Sequence, residues 1–296
     1  MQRRALTRAL SLAAVSAVVL AASACAPEDE ASDSSTEAAG DGSTAPDCSV
    51  ESLPLFQEGQ LTVGTDDPAY PPWFEGNDPT NGKGFESAVA YAVAEEMGFT
   101  ADQVEWVTVP FNASYQPGPK EFDFDINQIS ITPKRAEQVT FSRGYYDAAQ
   151  AIITMADSPY ADATSFADFA DAKIGAQVGT TSLTAIDTEI QPEQDAAVFD
   201  DTNAATKALE NGSVDAVVAD LPSAFYITAA VLSDSTIVGQ FQPETGAVEQ
   251  FGLLFEQGNP LVDCVNVALD ALEQDGTLEQ IEQRWLSQTV DVPVLS

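Results

Sequence analysis

The sequence predicts an α/β fold, and three observations carry the prediction. From Leu61 onward, short apolar strands alternate with segments of helical periodicity. The alternation has no fixed period, which excludes a solenoid. With 296 residues and 44% apolar content, the chain can build one large core or two modest ones.

The N-terminal part reads as an export signal. Arg3, Arg4 and Arg8 precede an alanine-rich apolar run, residues 9–24, too short and too weakly apolar for a typical membrane span. Residues 1–24 are therefore expected to be a signal peptide, with an uncleaved membrane anchor as the other reading. Arg3-Arg4 lacks the rest of a twin-arginine signal, which favours ordinary secretion. Ala22-Ser23-Ala24-Cys25 resembles the lipobox of bacterial lipoproteins, with Ala22 where a larger aliphatic residue is usual. On that resemblance Cys25 becomes a diacylated N-terminus. Residues 26–46 contain no large apolar side chain and cannot form a core. Residues 25–46 are thus a lipidated acidic tether with a reach of roughly 25 Å as a random coil. Setting Cys25 aside leaves Cys48 and Cys264, an even pair in an exported chain that predicts a disulfide; two separate buried thiols are the alternative.

The folded part follows in order. Residues 61–65 form a first strand, followed by a loop, 66–84, rich in proline, glycine and aromatics. Phe85, Val89, Val93 and Met97, spaced by four, place an apolar stripe on a helix that Gly98 ends. Residues 104–109 are a second strand, and 110–122 are irregular. A strand over 126–131 then runs into a helix, with Thr132 as N-cap and Pro133 at the first helical position. Beyond it, strands are predicted at 150–154, 174–177, 197–199, 216–219 and 251–255. Helices are predicted at 181–190, 202–211, 221–231, 260–274 and 277–287, and 240–250 is a polar segment.

The strand-to-helix turn at Thr132-Pro133 is suited to an anion, because unpaired N–H groups point outward there. Arg135 adds a fork of donors that can grip a carboxylate. On this stretch alone an ordinary surface arginine reads equally well. Composition narrows the function classes further. The net charge of −36 excludes nucleic acid as a partner and opposes close approach to an anionic lipid surface. The absence of histidine removes Ser-His-Asp and Cys-His catalysis and argues against a zinc or copper site. No cofactor and no metal are expected, although carboxylates could hold calcium.

The segments LTVGT, AYPPWF, GKGFES, DFDINQISITPKRAEQVTFS, IGAQVGTTS, VDAVVADLPSAF, FGLLF and NPLVDCVNVALDALEQDGTLEQIEQRWL follow one another across residues 61–286. In that order they resemble the bacterial extracellular solute-binding proteins for polar amino acids, which deliver substrate to ABC importers. The resemblance implies the two-lobed type II periplasmic-binding-protein fold, with two crossover hinge strands and a ligand cleft between the lobes. Lobe 1 would comprise residues 47–147 and 246–296, lobe 2 residues 148–245. It also implies roles for residues. Arg135 would hold the ligand α-carboxylate, helped by Ser130 and by the turn Gly179-Thr180-Thr181, with Thr181 as main donor. Asp220 would hold the α-ammonium, though Asp before Leu-Pro is equally a helix start. Asp66, Tyr70, Trp73, Phe74 and Phe111 are candidates for the ligand side chain, with Trp73 and Phe74 also readable as core. Lys83 and Lys120 lie in loops that could supply a second cation for an acidic ligand. Family members usually have Gly, Ser or Ala where Asn127-Gln128 stand, and Asp where Glu86 stands, so Gln128 bears on the substrate.

These expectations define an extracytoplasmic, lipid-anchored monomer on the outer face of the cell membrane. It would bind a neutral polar or cationic L-amino acid and dock on an ABC permease, without enzymatic activity. A secreted dehydratase of prephenate or arogenate type on the same scaffold is the rival class. It needs a general acid in the cleft, for which Glu86 or Asp66 could serve, and no ammonium ligand. A ligand sensor for a membrane receptor is a third reading, separable only by its partner.

Overall fold

Two sheets, each of five strands, carry the fold, and the chain passes between them twice. The computed structural model describes residues 46–243, 248–286 and 292–296; the signal segment, Cys25 and the tether up to residue 45 lie outside the described residues. The first passage comprises β1 (Leu61–Thr65), α1 (Phe85–Glu96), β2 (Val104–Thr108), α2 (Phe111–Ser114), β3 (Phe124–Asp125), α3 (Pro133–Ala136) and β4 (Thr140–Asp147). The chain then crosses to β5 (Gln150–Met155), β6 (Ile174–Gln177), α4 (Thr181–Ala185), β7 (Ala197–Phe199), α5 (Thr202–Glu210), β8 (Ala216–Asp220), α6 (Leu221–Tyr226) and β9 (Ser235–Phe241). It returns to β10 (Gln250–Phe255), α7 (Leu261–Gln274) and α8 (Thr277–Leu286).

The sheet orders are β2-β1-β3-β10-β4 and β7-β6-β8-β5-β9. β1, β2 and β3 pair in parallel in the first sheet, and β10 enters antiparallel between β3 and β4. β1 is buried along its whole length because side chains cover both of its faces. One face meets α1, α7 and α8 through Val63, Phe85, Val89, Val93, Leu261, Val265 and Leu269. The other carries a smaller core of Phe111, Phe122, Ile129, Val139 and Leu254. The second sheet is likewise covered on both faces, by Phe169, Ile174 and Ile186 on one and by Ile153, Leu209 and Leu221 on the other. Cys48 and Cys264 form a disulfide that ties the start of the described chain to α7 across a separation of 216 residues.

The two crossovers are laced together. Ala148 N–H donates to Glu249 O at 2.8 Å, and Gln242 Nε2 donates to Ala148 O at 2.5 Å. Several sequence expectations change here. The strand expected at 126–131 is instead β3, two residues earlier, because Gln128 takes φ 48° and turns the backbone out of the ladder. α3 is a single turn, so a helix dipole contributes little at its start. The helices expected at 181–190 and 221–231 each pass from an α turn into a π turn, at Ile186–Ile190 and Ile227–Val231. β4 and β9 were not among the expected strands.

The boundary of the first lobe also needs correction. Residues 292–296 do not lie with that lobe but on the second sheet. Val294 bridges Gln240, Leu295 N–H donates to Gln240 O at 2.9 Å, and the Leu295 side chain enters the second core. The reason is the edge position of β9, whose free backbone groups recruit the tail. Gly239 makes room, since a Cβ there would overlap the Leu295 side chain. No helix among the described residues is long and apolar enough to cross a membrane.

Candidate functional site

Between the two sheets lies a cavity of about 320 Å³, lined by ten of the side chains expected to meet a ligand; Phe74 is not among them and is buried in the first core. Arg135 is positioned by the Thr132-Pro133 helix start, where Thr132 Oγ1 accepts from Arg135 N–H at 3.2 Å. The guanidinium is buried, and it bridges the lobes. One nitrogen donates to Ser130 O at 2.8 Å and another to Gly179 O at 3.0 Å. Its plane lies near the rings of Tyr115 and Phe111, at 4.8 and 5.4 Å from their centroids. A guanidinium has about five N–H donors, and two are spent on carbonyls that fix its orientation. The rest remain for an anion. Burial lowers its pKa, opposed by the fields of Tyr115, Glu249 and Asp220, and the group stays charged.

Beside it, Ser130 Oγ of the first lobe and Thr181 Oγ1 of the second lie 3.2 Å apart. Thr180 also lines the cavity, but its hydroxyl is occupied. It accepts from Leu183 N–H at 3.1 Å as the N-cap of α4 and donates to Gln177 O at 2.8 Å.

Asp220 behaves differently from the caps around it. It occupies the N-cap position of α6 yet makes no capping hydrogen bond, whereas Thr180 and Asp201 cap their helices. Its carboxylate turns to the cavity and accepts from Gln150 Nε2 at 3.0 Å. Burial pushes its pKa up to about 8, helped by Glu249 and Glu86, while the Gln150 hydrogen bond and Arg135 pull it down.

The cavity also carries a group of acidic side chains. Asp66, Asp67, Asp200 and Asp201 line it together with Tyr70. Asp66 accepts from Phe111 N–H at 3.1 Å and from Asp67 N–H at 2.8 Å. The Tyr70 hydroxyl is buried without a partner, and burial with the fields of Asp201, Asp66 and Asp67 raises its pKa to about 12. Phe111 serves as both cavity wall and core. Trp73 is wholly buried among Phe85, Tyr146 and Phe251, so its ring is core, as one of its two readings had it. Only its indole edge faces the cleft, where Nε1 donates to Ser223 Oγ of the second lobe at 2.9 Å.

Gln128 lines the cavity with its side chain committed to Glu86, which also takes the Gln128 N–H at 2.7 Å and the Tyr145 hydroxyl at 2.5 Å. Glu86 is fully buried and lies outside the cavity lining. Lys83 and Lys120, considered above for an acidic ligand, are likewise absent from that lining. No cluster that could hold a metal ion occurs among the described residues. Sequence reading missed Gln150, Ser182, Glu249 and Ser223. Gln150 opens an apolar strand, and only the β5–β8 register, which sets it opposite Asp220, reveals its place.

The profile of the bacterial extracellular solute-binding proteins, family 3, matches residues 61–288. The L-arginine-binding protein of Pseudomonas aeruginosa is 28% identical over 81% of this chain and 93% of its own length. The L-cystine-binding protein TcyJ of Escherichia coli is 26% identical over 79% of this chain and 85% of its own. Among solved structures, an ancestral arginine-binding protein bound to glutamine superposes with a TM-score of 0.64 at 30% identity, covering 78% of this chain and 100% of that one. The ancestral amino acid-binding protein AncCDT-1, described as a precursor of cyclohexadienyl dehydratase, gives 0.63 at 29% identity over 77% and 95%.

Proposed function

The chain belongs to the bacterial extracellular solute-binding proteins of family 3, and we propose that it captures a cationic or neutral polar L-amino acid and hands it to an ABC permease. The observation that supports this reading is the pairing of Arg135 and Asp220 on one cavity. Asp220 keeps its carboxylate free of the helix it begins, and Arg135 keeps donors beyond its two carbonyl contacts. A cation from one lobe and an anion from the other complement the carboxylate and ammonium of a zwitterion. Ser130 and Thr181 would share the carboxylate, and closure of the lobes would be coupled to capture.

The side chain of the ligand would lie toward Asp66, Tyr70 and Asp201. Five aspartates line the cavity, Asp66, Asp67, Asp200, Asp201 and Asp220, against Arg135 as the cation. That balance favours a cationic side chain and opposes an acidic one. The named relatives include binding proteins for arginine and cystine and a probable histidine-binding protein. The acyl anchor at Cys25, the acidic tether and a monomeric state on the outer face of the membrane belong to the same proposal.

A thermal-shift screen of the protein against the common amino acids, with prephenate included, tests the reading. A ligand at about 100 times its dissociation constant adds roughly 2.7 kcal/mol, a shift of several degrees. The expected result is one amino acid, or one chemical group of them, standing out in the native protein and lost in Arg135→Ala. No shift from any amino acid, or turnover of prephenate, would reject it.

A further inference from the structure

The hinge and the cavity meet at one side chain that the proposed function does not use. Gln150 is the first residue of β5, where the chain enters the second lobe, and its side chain is fully buried. Its Nε2 donates to Asp220 Oδ1 and to Glu249 Oε2, both at 3.0 Å. Its Oε1 accepts from Ser182 Oγ at 2.6 Å. The orientation of the amide is dictated by these partners. Only an NH2 group, with two hydrogens, can face two carboxylates at once, and only the oxygen can receive the serine hydroxyl. Thr181 Oγ1 lies farther from the same nitrogen, at 3.4 Å.

Each partner belongs to a different part of the closing machine. Glu249 sits on the return crossover, whose backbone also receives Ala148 N–H from the outgoing one. Asp220 ends β8, and the register sets Gln150 opposite it, so the two side chains are cross-strand neighbours. Ser182 belongs to α4, the helix that Thr181 begins. One amide therefore ties together both crossovers and two of the elements that line the cavity.

We infer that Gln150 is a positioning residue that aims the Asp220 carboxylate at the ligand ammonium, with the hinge residue Glu249 as its anchor. This rests on reading the cavity as an amino-acid site. Without the amide, Asp220 and Glu249 lose the donor they share. Asp220 then has no neighbour to stop it from turning back to cap α6, as Thr180 and Asp201 cap theirs. The hydrogen bond thus selects between two uses of one carboxylate.

A double-mutant cycle tests the inference. Affinity for L-arginine and for L-glutamine is measured calorimetrically on the full chain, as native protein, Gln150→Met, Asp220→Asn and the double variant. If Gln150 acts through Asp220, Gln150→Met weakens the better-bound probe about tenfold or more in the native background. In the Asp220→Asn background the same change costs less than about threefold, because the carboxylate it would aim is gone. Equal losses in both backgrounds, the mark of a merely structural residue, overturn the inference, as does no loss in the native background. Ser182→Ala, which frees the amide to rotate, repeats the cycle with little change in volume should Gln150→Met not fold. A native protein that binds neither probe nor any other amino acid removes the amino-acid reading itself, and the inference with it.

Discussion

Arg135 of the first lobe donates to the carbonyl oxygen of Gly179 in the second at 3.0 Å, so the residue proposed to hold a ligand carboxylate also spans the cleft. Gly179 takes φ 77°, where only glycine is unstrained, and a Cβ there would overlap Asn112 Oδ1 and the Tyr115 hydroxyl of the first lobe. The overlap acts only when the lobes meet, whereas the strain at this φ is present whether they meet or not. Gly179→Ala is therefore expected to lower stability by about 1–2 kcal/mol through the strain. Through the overlap it is expected to weaken ligand binding as well. Calorimetric titration checks it, and an unchanged affinity would show that the lobes need not approach this closely.

The buried carboxyls predict a dependence on pH with opposite signs for stability and binding. Asp220 is raised from its ordinary value of 3.8 to about 8, and Glu86 from 4.5 to about 7, both chiefly by burial. An acid whose pKa is raised by folding stabilises the protein fully below its unfolded value, and that contribution is lost as pH rises through the folded value. The melting temperature of the ligand-free protein should thus fall between about pH 4.5 and pH 8 through these two groups. Ligand affinity should move the other way, because an ammonium needs Asp220 ionised. It should rise by up to about tenfold per pH unit below pH 8, with proton release on binding. A flat affinity over that range would mean that Asp220 does not hold the ammonium.

How far the site could be read from sequence follows from which contacts are local. The Thr132-Pro133 start that orients Arg135 involves neighbours in the chain, and the capping bond to Arg135 N–H is present. The alternation of strand and helix gave most elements for the same reason. Contacts that depend on register or on two distant segments were not legible. Gln150 and Glu249 are polar residues beside apolar runs, and nothing nearby tells that they meet Asp220. The tail at 292–296 is a similar case, since the edge it joins is a property of strand order. The turn at Gln128 escaped because a positive φ at glutamine has no local sign. Its N–H and its side-chain amide donate to Glu86, 42 residues earlier.

The contribution of Arg135 is separable into charge and shape. Arg135→Ala leaves a ligand carboxylate without its fork, and loss of a buried charged hydrogen-bond partner costs about 2–5 kcal/mol of binding. Arg135→Lys restores the charge but neither the paired donors nor the planar contact with Tyr115 and Phe111. Lysine is therefore expected to recover less than half of the lost binding energy. Recovery to near-native affinity, measured by the same titration, would show that charge alone suffices.

The Cys48–Cys264 bond predicts a loss of stability without a loss of function. It closes a loop of 216 residues and packs on the face of the first lobe that carries α1, α7 and α8, away from the cavity lining. In the chain-entropy picture such a crosslink acts mainly by restricting the unfolded chain, and removing it typically costs about 2–4 kcal/mol. For a domain of this size that lowers the melting temperature by about 4–16 °C. The Cys48→Ser, Cys264→Ser double variant and the reduced native protein should show the same shift, with ligand affinity within about threefold of native. A fall in affinity that tracks the fall in melting temperature would instead place the bond in the closing motion, through α7 and the strand β4 it packs against.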